Sequence, residues 1–166
     1  SSVKVSHPFF TDHQVRQACA AAVDRRTIAE HLYGAAGTPT SNFLNAPPQF
    51  QSPNTRWEFD LEKAAQLLEQ AGWKRGRDGI RLKDGRRMKV LFQSSANLVR
   101  QKTQAIVKRA LERVGMEVEL KAVPANVFFA SDPGNPDTNS HFYADMQMVS
   151  NSLGFDPQGP MRFFVS

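Results

Sequence analysis

Apolar residues recur every three or four positions in several stretches of this chain, which is the spacing of helices that bury one face. Each of these stretches follows a side chain that suits a helix N-cap. The predicted helices follow Thr11 or Asp12, Asp24 (25–33), Asp60, and Asn97 (about 98–114). In the longest helix the spacing turns Val99, Ile106, Ala110 and Val114 inward, and Gly115 stops it.

Shorter stretches of alternating or β-branched residues predict strands at 80–82, 88–92, 116–123 and 144–149. The first two flank the turn pair Asp84-Gly85, which favours a hairpin between them. The strand that begins at residue 88, the long helix and strand 116–123 form a βαβ unit, so these two strands are expected to be parallel.

Two segments predict loops, and one predicts a short helix. Residues 37–57 contain four prolines, and 132–140 is rich in Gly, Pro, Asn and Asp. A short helix is expected at 127–130, with Phe128 and Phe129 in the core.

Length and charge narrow the class of protein. The 166 residues suffice for one domain, and the formal net charge is +5. The dense basic stretch, residues 74–89, has hairpin turn signals and no interleaved aromatic residues, so a solvated hairpin is favoured over a nucleic-acid face. Cys19 is the only cysteine, which excludes an internal disulfide or a thiolate metal cluster.

Several of these segments, in order, resemble family-5 extracellular solute-binding proteins, the oligopeptide, dipeptide and nickel receptors of bacterial ABC importers. No single motif is specific, but together they cover about residues 8–160. The matching motifs are Val15-Arg16-Gln17-Ala18 with Ala22-Val23-Asp24-Arg25, Phe59-Asp60-Leu61-Glu62-Lys63-Ala64, Asp78-Gly79-Ile80-Arg81, Leu111-Glu112-Arg113-Val114-Gly115, and Asp156-Pro157.

The resemblance implies an α/β fold: one lobe of a type II periplasmic-binding protein, with a central mixed sheet flanked by helices. Residues 1–166 are then the second lobe, and the first lobe is absent from this chain. The implied function is capture of a peptide-like solute between two lobes and its delivery to a membrane permease. The implied location is periplasmic, or extracellular and membrane-associated, and no enzyme activity, cofactor, metal or nucleic-acid partner is expected.

Ligands of open α/β sheets bind beyond the carboxyl ends of the strands, and this rule selects the candidate site. It points to Ser94, Ser95 and Asn97 after one strand and to Ser150, Asn151 and Ser152 after the last. Phe43 and Phe155 are candidates for an apolar side-chain pocket. The alternative roles are helix capping for Asn97, turn formation for residues 150–152, and packing for the two phenylalanines.

The resemblance also has a departure. Peptide-binding relatives commonly carry an acidic residue shortly before the Asp-Pro pair, whereas this chain reads Ser152-Leu153-Gly154-Phe155. A blocked peptide, another amine or a sugar-like solute therefore stays open.

Two other functions fit parts of the sequence. The same fold serves as the ligand-sensing domain of transcription regulators. An unrelated α/β enzyme could pair Cys19 with His7, His13 or His31, although a thiol on the apolar face of a helix favours an inert role. The histidines lack the spacing of a zinc helix.

Overall fold

The computed structural model describes residues 7–44, 47–132 and 134–150. Among the described residues three α-helices come first, a run of four strands follows, and strands and helices alternate from residue 89 to residue 148. The helices are α1 (His13–Ala22), α2 (Arg25–Ile28), α3 (Leu61–Gln70), α4 (Leu98–Arg113) and α5 (Ala125–Phe128). The strands are β1 (Lys74–Arg75), β2 (Arg81–Lys83), β3 (Arg86–Arg87), β4 (Lys89–Ser95), β5 (Glu117–Val123) and β6 (Met146–Met148).

The predicted helix caps are present at four helix N-termini. The carboxylates of Asp12, Asp24 and Asp60 accept backbone N–H groups of α1, α2 and α3, respectively. Asn97 caps α4 in the same way. After α2 the chain continues as a π-helical turn over Ala29–Tyr33. The predicted helix over 25–33 is therefore confirmed in position, but its second half is π-helical and not α-helical.

The described part of the loop over 37–57, residues 37–44 and 47–57, is irregular as predicted and contains a short 3₁₀ turn at Pro48–Phe50. Helices α1 and α3 pack together, and the Asp60 N–H donates to the Ala21 carbonyl at 2.9 Å. Val15, Ala18 and Leu68 are fully buried in this contact region.

A three-stranded antiparallel sheet, β1–β2–β3, follows α3, and its pairing corrects the predicted hairpin. The strand that follows the Asp84-Gly85 turn is β3, because Leu82 pairs with Arg87 and Lys83 with Arg86. At Met88 the chain passes from one sheet to the other: its N–H donates to Arg81, whereas its carbonyl accepts from Glu117. Residues 89–95 therefore belong to a different sheet from 81–83.

The central sheet has the order β5–β4–β6 and is parallel throughout. The predicted parallel pairing of the βαβ unit is confirmed, with Lys89 opposite Glu117 and Ser95 opposite Val123. The α/β class is also confirmed, and the antiparallel strands lie in the separate three-stranded sheet. Asp145 fixes the start of β6, because its side chain accepts the Leu91 N–H at 2.7 Å and its N–H donates to the Leu91 carbonyl.

The inward face of α4 differs from the prediction. Val114 is buried as expected, just after the helix, whereas Val99, Ile106 and Ala110 are only partly buried. The buried helical positions are Thr103, Gln104, Val107 and Leu111. Two of these buried side chains are polar. The spacing of apolar residues alone therefore did not identify the buried face of α4.

Phe129 is a second correction. Phe128 is fully buried as predicted, but Phe129 is 46% exposed. The short helix ends at Phe128, so the two neighbouring rings point in different directions and meet edge to face.

Four of the eight basic side chains in 74–89 form ion pairs, and one of the eight is buried. Arg87 pairs with Asp78 and Glu117, and Lys74 pairs with Glu69. Arg81 is 1% exposed. The expectation of a fully solvated hairpin therefore fails at Arg81.

Candidate functional site

The carboxyl ends of β4, β5 and β6 lie at one edge of the central sheet, because these strands are parallel. Ser94 and Ser95 end β4 and are both buried. The Ser94 hydroxyl donates to the Met148 carbonyl at 2.8 Å and thereby holds β6 against β4. The Ser95 hydroxyl accepts from the Arg100 guanidinium. Both side chains have structural partners, and their contact with a solute stays a prediction.

Asn97 and Arg100 lie at the N-terminus of α4. The Asn97 side chain accepts the N–H groups of Val99 at 3.0 Å and Arg100 at 3.3 Å, so its capping role is established by geometry. The first turn of α4 contains no acidic residue. A positive charge is unfavourable at a helix N-terminus because of the helix dipole. The presence of Arg100 in the first turn is therefore the sequence signal that could have marked it as a candidate functional residue.

Ser150 is exposed two residues after β6, at the same edge of the sheet. Phe43 is 51% exposed in the proline-rich loop, where the neighbouring Asn42 accepts from and donates to the backbone of Ser52. Asn151, Ser152 and Phe155 lie outside the described residues. The solute-binding roles of all five residues stay predictions.

Gln93 and Gln104 are buried polar side chains that sequence reasoning missed. The Gln104 amide donates to the Phe92 carbonyl at 3.0 Å, which ties α4 to β4. The Gln93 amide donates to the Asp137 carbonyl at 2.9 Å and its oxygen accepts from Gln147. These bonds attach β6 and the 129–145 loop to the central strand.

A surface pocket lies in the loop that follows α5, beyond the carboxyl end of β5. Its volume is about 370 Å³. We refer to it as the loop pocket, and its lining residues are Phe129, Ala130, Ser131, Asp132, Asn139, Ser140 and His141. None of them was a predicted site residue.

The loop pocket is built on internal hydrogen bonds. The Asn139 N–H donates to the Phe128 carbonyl at 2.8 Å, and Asp137 pairs with Lys121 of β5. Thr138 is fully buried, and its hydroxyl lies 2.8 Å from His141 Nδ1. The loop is thus anchored to the sheet and to α5 on both sides of the pocket.

Cys19 has the environment of an inert thiol. Its Sγ lies 4.0 Å from the Met116 sulfur, and burial raises the pKa of the Cys19 thiol to about 12. The thiol is therefore protonated at neutral pH, which argues against the cysteine-enzyme alternative.

Metal-binding clusters and membrane-spanning helices are both missing from residues 7–44, 47–132 and 134–150. Within these ranges no group of His, Cys, Asp or Glu is arranged to hold a metal ion. No helix in the same part of the chain combines the length and apolar character needed to cross a bilayer.

Comparison with known proteins identifies the family of this α/β chain. Residues 2–166 match the family described as "Bacterial extracellular solute-binding proteins, family 5 Middle". The chain belongs to this family. Its resemblance to family 5 at the level of motifs is thereby confirmed.

Relatives share about a third of their residues with the family-5 chain over the matched region. The oligopeptide-binding protein AppA of Bacillus subtilis is 33% identical over 121 residues, which is 69% of this chain and 22% of that protein. Protein XP55 of Streptomyces lividans is 32% identical over 111 residues, 66% of this chain and 20% of that protein. The chain therefore spans about a fifth of the length of these relatives.

Solved structures agree with the fold. The oligopeptide-binding protein of Thermus thermophilus, complexed with a pentapeptide, superposes with a TM-score of 0.66 at 30% identity, covering 73% of this chain and 21% of that one. NikZ of Campylobacter jejuni, in complex with Ni(L-His), gives a TM-score of 0.67 at 27% identity, covering 72% and 24%. The ligands in these two structures differ in chemistry, so family membership alone leaves the solute open.

Proposed function

We propose that this chain is the second lobe of a solute-binding protein that serves a bacterial ABC importer. The observation that supports it is the family-5 match over residues 2–166, combined with relatives more than three times as long, because 111 and 121 matched residues are only 20% and 22% of their lengths. The proposed solute is peptide-like, the proposed partner is a membrane permease, and the proposed location is periplasmic. The relatives are binding proteins, and no bond is made or broken in the proposed function.

The proposed mechanism is closure of two lobes on the solute. Ser150, Arg100 and the loop pocket lie near the strand ends that would face the first lobe, and the predicted residues 151, 152 and 155 follow Ser150 in the sequence. A solute that bridges both lobes stabilises the closed form, whereas one that contacts a single lobe leaves the equilibrium unchanged. The isolated lobe should therefore bind its solute far more weakly than the two-lobe protein.

Native mass spectrometry of the whole natural polypeptide, purified without denaturation, tests this function. A ladder of co-purified peptide masses is expected. A single non-peptide mass would retain the binding-protein role and replace the solute class. Submicromolar binding of the solute by the 166-residue lobe alone would contradict closure between two lobes.

A further inference from the structure

We propose that the loop pocket binds a protonated amine of the solute, with Asp132 as its counter-ion. The inference rests on the proposed function, because it names the chemical group that this lobe would recognise. It arises from the combination of a carboxylate, a neutral hydrogen-bond acceptor and an aromatic wall around one pocket.

The Asp132 carboxylate supplies the negative charge. One of its oxygens, Oδ1, accepts the Gly134 N–H at 2.9 Å, which orients the side chain. An ionised carboxylate has about four acceptor sites, so further donors can be accommodated after that bond. An ammonium group, with three donors and no acceptor, has the complementary chemistry.

His141 adds an acceptor whose orientation follows from its hydrogen bonds. Its Nδ1 lies 2.8 Å from the Asn135 carbonyl oxygen, which can only accept. The Thr138 hydroxyl, which can donate or accept, also lies 2.8 Å from Nδ1. In the neutral tautomer whose Nδ1–H donates to the carbonyl, Nε2 has an acceptor lone pair. The ring stacks on Tyr143 at a centroid distance of 5.8 Å, which holds its plane.

Phe129 contributes an aromatic wall. The ring is 46% exposed and its edge-to-face contact with Phe128 fixes its position against the core. A cation over an aromatic face is stabilised by about 0.5–1 kcal/mol at exposed sites.

The charge around the pocket excludes an anionic ligand. Among the described residues that line it, none is Lys or Arg, although the chain carries a formal net charge of +5. The lysine that is attached to the same loop, Lys121, is paired with Asp137. An amine next to an apolar group therefore fits the pocket, and a carboxylate or phosphate does not.

The test compares two probes of nearly equal size, benzylamine and benzyl alcohol, on the whole natural polypeptide at neutral pH. Ligand-detected NMR titration gives both affinities. Benzylamine, which is protonated, is expected to bind roughly fivefold more tightly than the alcohol, the factor that corresponds to one exposed ion pair.

Asp132→Asn should lower this preference to the part that the Phe129 ring contributes, and Asp132→Glu should retain more of it. The matched control is Asp84→Asn, which removes the same charge from an exposed turn with a φ of 51° that asparagine also adopts. The control should keep the full preference. Thermal melting of each variant verifies that it is folded.

Several outcomes would overturn the inference: equal binding of the two probes, no measurable binding of either, or a preference that Asp132→Asn leaves undiminished. A solute found by native mass spectrometry together with equal probe affinities would leave the transport function standing and remove the amine pocket. Conversely, an amine preference in a protein that carries no transported solute would support the amine pocket and count against the transport function.

Discussion

Arg81 is expected to be the most important polar side chain for the stability of this fold. Its Nε donates to the Val114 carbonyl at 2.6 Å and its Nη1 to the Trp73 carbonyl at 2.6 Å. Nη1 also contacts Glu69 at 2.5 Å. One buried guanidinium thus links β2 to the end of α3 and to the junction between α4 and β5.

The expected cost of Arg81→Ala follows from what the mutation leaves behind. The Glu69 side chain is 41% exposed and regains water, so its lost ion pair contributes little. The Val114 and Trp73 carbonyls lose a buried donor, at about 1–3 kcal/mol each. The total for the two carbonyls is expected to be about 2–6 kcal/mol.

Urea unfolding of the wild type and two variants measures this difference. The control is Arg87→Ala, because Arg87 forms ion pairs with Asp78 and Glu117 while its side chain is 44% exposed. The control should lose much less stability than Arg81→Ala, because its ion pairs are exposed to water. An Arg81→Ala variant no less stable than Arg87→Ala would refute the assignment of stability to the buried carbonyl contacts.

The same cluster has an expected pH dependence. Hydrogen bonds from Lys74 first, and from Arg81 second, lower the pKa of Glu69 from its ordinary value of 4.5. A carboxylate with a lowered folded-state pKa stabilises the fold above its unfolded pKa, and this contribution is lost as the pH falls through the folded value. The stability difference between wild type and Glu69→Gln should therefore shrink below about pH 4.

Three other results are expected. Alkylation of Cys19 by iodoacetamide should be slow in the folded protein and fast in urea, because the thiol is buried and protonated; rapid modification of the folded chain would revive the cysteine-enzyme alternative. Asn97→Ala should cost about 1 kcal/mol in urea unfolding through loss of the α4 cap, and an unchanged midpoint would contradict that role. Gly115→Ala should destabilise more than Gly79→Ala. Both glycines have positive φ, but only at Gly115 would the new Cβ lie 2.8 Å from a side-chain carbon of Arg81.

Local sequence signals determined the helices and the parallel pair of strands. Asp60 and Asn97 each accept N–H groups within three residues of themselves, so their capping role is encoded in a short segment. Gly115 has a φ of 98°, which a β-carbon disfavours, and it ends α4 where the sequence predicts. Strand, helix and strand with short connections leave the parallel arrangement as the natural solution.

Only the tertiary structure decided which polar residues are buried. Arg81 looks like one more charge in a basic hairpin, and its burial depends on carbonyls that come from the end of α3 and from the α4–β5 junction. Gln104 interrupts the apolar stripe of α4 because its amide reaches the Phe92 carbonyl of β4. Periodicity records the average polarity of a face and carries no information about such distant partners.

The candidate site, too, was predictable from the sequence only in part. The rule of strand carboxyl ends found the edge of the sheet from sequence, at Ser95 and Ser150. This rule did not predict the loop pocket, because Phe129, Asp132 and His141 are spread over a loop that has no periodic pattern. They are brought together by the hydrogen bonds of Asn139 and Thr138. The sequence by itself thus determined the elements and the edge at which a solute is expected, whereas long-range packing decided which side chains meet there.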